Sequence, residues 1–90
     1  MNKSIATSPT NARARIATNL KRLRMERGLS QERMAELADF HRTYVSQLER
    51  CVTNISIDGL ERIAQALEVD VIDLLAAGSA ELPSDASDET

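Results

Sequence analysis

Tryptophan is absent from this chain, and the other aromatics occur once each, as Phe40 and Tyr44. Aliphatic side chains must therefore fill whatever core forms, which suits packed helices. Cysteine also occurs once, at Cys51. A single thiol excludes an internal disulfide and supplies no cysteine cluster for a metal. With His41 as the single histidine, a zinc site has too few ligands. No run approaches the ~20 apolar residues that a membrane span needs. The opening MNKSIATSPT lacks the apolar centre of a signal peptide. A soluble, cytoplasmic protein in a reducing compartment is expected. Catalysis finds no support either: there is no Cys–His or Ser–His arrangement and no Gly-rich phosphate loop, so no enzyme activity and no cofactor are expected.

What is present is charge, unevenly placed. The 90 residues carry a net charge of -3, which alone says nothing of nucleic acid. Residues 12–50, however, hold nine Lys or Arg against five acids, a balance of +4. Residues 51–90 hold one base, Arg62, against nine acids, a balance of -8. A basic first half beside an acidic second half is the asymmetry expected if one face meets an anion.

Apolar spacing predicts five helices and no strand. Ile16, Leu20 and Leu23, with Ala17 nearby, form one stripe over 12–27. Gly28 then offers a cheap left-handed stop, and Arg27 suits the negative end of the helix dipole. Ser30 is placed to cap a second helix, in which Met34, Ala35, Leu37 and Ala38 form the apolar stripe. Asp39 falls in a tight turn that demands a left-handed residue, and Phe40 is expected to plug the core beneath it. A third helix over 42–50 has only Val45 and Leu48 as large inward residues. Arg42, Thr43, Tyr44, Ser46, Gln47 and Arg50 point elsewhere, which makes it a poor core element and a good reading surface. Ser56 can cap a fourth helix, with Asp58 in its first turn and Leu60, Ile63, Ala64 and Leu67 inward. Gly59 inside it costs about 1 kcal/mol relative to Ala. Asp70 begins a fifth helix over 70–77 in which Val71, Ile72, Leu74 and Leu75 exceed what one face can bury. Val69, Ile72 and Leu75 are therefore expected to meet a partner. Residues 1–11 read as a flexible arm and 79–90 as a disordered acidic tail, leaving an all-α domain over 12–78.

The stretch LRMERGLSQERMAELADFHRTYVSQLER, followed by NISIDGLERIAQALEVDVIDLL, resembles the XRE-type helix-turn-helix family of phage repressors, Cro-like proteins and bacterial regulators. The likeness runs from Ile16 to Leu75. Its markers are Arg24, Gly28 to Gln31, Ala35, Val45, Leu48, Glu49, Ile63, Ala64, Ala66 and Leu67. Within the family, HRTYVSQLER with NIS shortly after looks most like the controller proteins of restriction–modification systems. The resemblance implies a phage-repressor-like five-helix fold with the helix-turn-helix at helices two and three, and a homodimer that reads a double-stranded DNA operator. It implies base reading by Arg42, Thr43, Ser46 and Gln47, because Arg can donate twice to guanine and Thr offers a hydroxyl and a methyl. DNA-backbone contacts are implied for Gln31, Tyr44, Arg50, Thr53, Asn54 and Ser56, and a structural salt bridge for Arg24 with Glu49. Tyr44 could equally pack on helix two, and Thr53, Asn54 and Ser56 could simply form a turn and a cap. His41 reads as a turn or capping residue. Asp39 and Cys51 stand where the family often has Gly. RNA polymerase is a further candidate partner, whereas no small-molecule ligand is expected in a chain with no room for a ligand domain. A phage-type repressor or an antitoxin would share this fold. A helical protein–protein module without DNA binding is the alternative of a different class, and the retained Gln31, Arg42, Thr43 and Arg50 argue against it.

Overall fold

A computed structural model describes residues 11–77, so the expectations for the arm before Asn11 and for the tail lie outside the described residues. Five helices follow one another: α1 (Ala12–Glu26), α2 (Gln31–Ala38), α3 (Arg42–Glu49), α4 (Ile57–Leu67) and α5 (Val71–Leu75). Among the described residues there is no strand. Helices α1 and α3, and α5, end one or two residues short of their expected limits, because their last residues serve as caps rather than as turns of helix. Asn11, expected in the arm, is the N-cap of α1: its side-chain oxygen accepts from the Ala14 amide at 3.0 Å.

Each boundary has a local cause. Ser30 and Ser56 accept from the amides of Arg33 and Gly59, both at 2.9 Å, and so satisfy donors that a helix start leaves unpaired. Asp70 accepts from Ile72, while Asp73 returns a bond to the Asp70 amide, completing a capping box. The helix ends are more uniform still. After α1, α2, α3 and α4 stands one left-handed residue: Gly28, Asp39, Cys51 and Glu68, with φ between 61° and 67°. In all four its amide bonds the carbonyl three residues back and the next amide bonds the carbonyl five back, as in Phe40 N to Ala35 O at 2.8 Å. The next residue is apolar each time, Leu29, Phe40, Val52 and Val69, and three of these four pack on the core. Cys51 thus adopts the conformation that glycine would, and the turn keeps its form.

The core draws on all five helices. Leu20 of α1, Met34 of α2, Val45 of α3, Ile63 and Leu67 of α4 and Leu74 of α5 are fully buried. Burial of such a side chain stabilises by about 1.5–3 kcal/mol. The pair α2–α3 lies between α1, which packs on α3, and α4, which packs on α2, and α5 closes against α1. Two details depart from expectation. Leu37, expected in the apolar stripe of α2, is 43% exposed. At roughly 100° of turn per residue, Ala35 and Ala38 lie on one side of Met34 and Leu37 on the other, away from the core. Gly59 sits where space is tight as well as where a helix is weakened. A Cβ there would meet Ile55 Cγ1 at 3.0 Å, Ser56 Oγ at 3.2 Å and Phe40 Cζ at 3.3 Å.

Glu68 is exposed and holds φ at 61°, strained for a residue with a Cβ. Glu68→Gly should raise stability by about 0.5–1 kcal/mol, the relief of strain exceeding the added freedom of the unfolded chain. Urea unfolding checks this through a higher midpoint at unchanged slope.

Candidate nucleic-acid interface

The candidate interface is α2, the turn at Asp39 and Phe40, and α3. Its frame is built around one carboxylate. Glu49, in the last turn of α3, receives Arg24 Nε from α1 at 2.5 Å and a second guanidinium nitrogen at 3.1 Å. Gln31, opening α2, donates to the same carboxylate at 3.0 Å. Arg24 also donates to the Leu29 carbonyl at 2.7 Å. Only 12% of the Arg24 side chain and 4% of the Glu49 side chain remain exposed, so water screens this pair little. One side chain thereby fixes α3 to α1 and to α2.

That anchoring decides which side of α3 looks outward. Val45 and Leu48 are buried and Glu49 is held inward. Arg42, Thr43 and Arg50 are exposed, and Ser46 and Gln47 half-exposed between them. These five lie at i, i+1, i+4, i+5 and i+8, which is one continuous face of a helix. His41 supplies no side-chain cap, so the positive end of the α3 dipole opens beside Arg42 and Thr43.

The structure reassigns several charges that sequence counting had treated as one basic face. Arg15 donates to the Leu75 carbonyl, Arg27 to the Leu67 carbonyl and Arg24 to Glu49, so all three are occupied within the fold. Arg22 with Glu26 and Arg33 with Glu36 form exposed pairs on their own helices, worth little to stability. Arg42 and Arg50, by contrast, have no ion-pair partner among the described residues. They place unpaired positive charge at both ends of the outward face.

Tyr44 packs on the turn and reaches the following loop. Its ring lies 4.9 Å from that of Phe40, and its hydroxyl donates to the Asn54 carbonyl at 2.7 Å. Burial pushes the Tyr44 phenol up from its ordinary pKa, and Arg62 nearby opposes this in part. The tyrosine thus ties α3 to the loop of Thr53 and Asn54, where Asn54 is exposed and Thr53 half-buried. Ser56 caps α4 through its hydroxyl. Sequence reasoning missed two residues that hold this frame. Asn19, buried in α1, donates to the Leu74 and Ala76 carbonyls, both at 2.9 Å. Its signal was a polar residue between Ile16, Leu20 and Leu23 on the buried side of α1. Arg62 of α4 donates to the carbonyls of Ala38 and Asp39 across the turn.

A helix-turn-helix family model matches residues 20–74, which contain α2, α3 and the Arg24, Gln31 and Glu49 contacts. Control protein C.BamHI of Bacillus amyloliquefaciens is 39% identical over 66 residues, covering 72% of this chain and 82% of its own. The chain belongs to the XRE-type helix-turn-helix family. Among solved structures, the hypothetical transcription factor NHTF from Neisseria aligns with a TM-score of 0.76 at 35% identity, over 87% of this chain and 90% of that one. The restriction–modification controller protein C.AhdI from Aeromonas hydrophila aligns with a TM-score of 0.67 at 34% identity, over 69% and 94%. This helix-turn-helix protein is thus a DNA-binding transcriptional regulator, with α3 in the position of the reading helix.

Removing one partner of the buried pair strands the other. Arg24→Ala and Glu49→Ala should each lower unfolding free energy by about 3 kcal/mol, whereas the double variant Arg24→Met with Glu49→Leu should lose less than either alone. Chemical denaturation of the three variants measures the difference.

Proposed function

We propose that the protein is the controller of a restriction–modification system, acting as a homodimer on a pseudo-palindromic operator and regulating its own expression. The observation that carries this reading is the outward face of α3, five polar residues with unpaired Arg42 and Arg50 at its ends. It is supported by the controller proteins among the relatives. In this reading Arg42 and Thr43 enter the major groove first, Ser46 and Gln47 follow, and Arg50, Gln31, Thr53 and Asn54 hold phosphates. Tyr44 and Ser56 shape the loop that presents the last two.

A single eight-residue reading helix spans one half-site, so two copies are needed for an operator whose halves repeat after about one turn, ~34 Å. The dimer contact is assigned to Val69, Ile72 and Leu75. Ile72 is 69% exposed and carries the apolar surface to be covered, while Val69 and Leu75 already pack partly on their own core. The acidic second half then faces away from DNA. At low occupancy the dimer activates transcription through RNA polymerase, and at high occupancy a second filled site represses it.

Selection of bound duplexes from a random pool tests the reading directly. Two symmetric half-sites about one turn apart support it, and a single asymmetric site overturns the homodimer. Endonuclease and methylase genes beside the reading frame support the controller role, whereas prophage or toxin genes overturn that role and leave DNA binding intact. Absence of any salt-dependent affinity for random duplex would sink DNA binding itself.

Arg42→Ala should remove the preference at one base pair of each half-site, a loss of ~1–3 kcal/mol of discrimination. The thermal midpoint should stay nearly unchanged, since Arg42 is exposed and its side chain makes no hydrogen bond or ion pair among the described residues. Binding titrations on single-base operator variants, with a melting curve, check both outcomes.

A further inference from the structure

The turn between α2 and α3 sets the direction of the reading helix, and its own two backbone bonds are supplemented from outside it. Asp39 stands in the left-handed region at φ 63°, its side chain fully exposed, and no glycine eases the geometry. Further bonds to it come from α4. Arg62 Nε donates to the Ala38 carbonyl at 3.0 Å, and another guanidinium nitrogen donates to the Asp39 carbonyl. These carbonyls lie at the end of α2, where the dipole is negative and a cation is favoured. The same guanidinium carbon lies 4.1 Å from the centre of the Phe40 ring, a cation–π contact. Gly59, three residues earlier on α4, leaves the room that the Phe40 ring fills. Phe40 in turn meets Tyr44 of α3, whose hydroxyl holds the Asn54 carbonyl. One arginine outside the motif therefore begins a chain of contacts through the turn, the reading helix and the loop after it.

We propose that Arg62 is a positioning residue for DNA reading: from α4 it fixes the turn that aims α3, and so sets discrimination between operator and random DNA without itself touching DNA. Arg62 is the one base among residues 51–90, and its side chain is 43% exposed. It is no part of the apolar core, and its charge is directed at the turn. The proposal rests on the DNA-reading role given above, so its test has one arm without DNA.

Arg62→Met keeps the stem over Phe40 and loses the charge and both donors, while Arg62→Lys keeps a cation with a single donor point. In the free protein, hydrogen exchange should show faster exchange in Arg62→Met at the amides of Phe40, Tyr44 and Val45, with those of α1 unchanged. Arg62→Lys should fall between it and the original, and decides the matter if Arg62→Met does not fold. Uniform loss of protection across the molecule, or none at the turn, overturns the proposal. In the DNA arm, the ratio of operator to random-duplex affinity should fall about tenfold in Arg62→Met, the scale of one lost base contact. Random-duplex affinity and its salt dependence should stay as they were. A salt slope reduced by about one would mean that Arg62 holds a phosphate, and an unchanged ratio would mean that the turn needs no such brace; either overturns it. If the original protein prefers no duplex at all, the DNA-reading role fails instead, and hydrogen exchange alone judges Arg62.

Discussion

Everything that α3 can do outwardly depends on what Glu49 does inwardly. One carboxylate receives Arg24 from α1 and Gln31 from α2, and it lies at the end of the helix opposite Arg42. A helix of eight residues with two buried apolar side chains has little packing to fix its rotation about its own axis. Directional bonds to a nearly buried charge supply what packing does not, because they tolerate only small changes in angle. The polar face can then be free of structural duty, which is the condition for presenting side chains to a base edge.

A second constraint runs through the molecule. Short helices leave a large share of their backbone carbonyls unpaired, and this fold answers with arginine and asparagine side chains from other helices. Arg27 serves the end of α4, Arg62 the end of α2, and Arg15 and Asn19 the end of α5. Cations suit those ends because the dipole is negative there. Much of the positive charge in the first half of the chain is therefore consumed by folding. Charge with no ion pair among the described residues remains at Arg42 and Arg50 on the outward face of α3, and at Arg13 and Lys21 on α1.

The helix pattern was legible because its causes are local. Ser30, Ser56 and Asp70 cap where spacing placed them, and Ile16, Leu20, Leu23, Leu60, Ile63, Ala64 and Leu67 are buried as their period requires. The division of α3 into inward Val45 and Leu48 and an outward polar face was legible for the same reason. Leu37 was misplaced because apolar spacing admits a wider arc than the neighbouring helices cover. Tyr44 was undecided because its partner, the Asn54 carbonyl, lies ten residues on in a loop whose path no period describes. Asn19 and Arg62 escaped attention because a polar residue on a helix reads as solvated until the carbonyls it meets, 55 and 24 residues away, are known.

By itself the sequence determined five helices, the caps at Ser30, Ser56 and Asp70, the left-handed stops at Gly28 and Asp39, and the outward polar face of α3. These depend on interactions within a few residues, where spacing and side-chain type suffice. The tertiary structure decided which arginines are occupied by the fold, how little room surrounds residue 59, and what braces the turn that aims α3. Those depend on groups brought together from distant parts of the chain, and no local pattern encodes which carbonyl a guanidinium will meet.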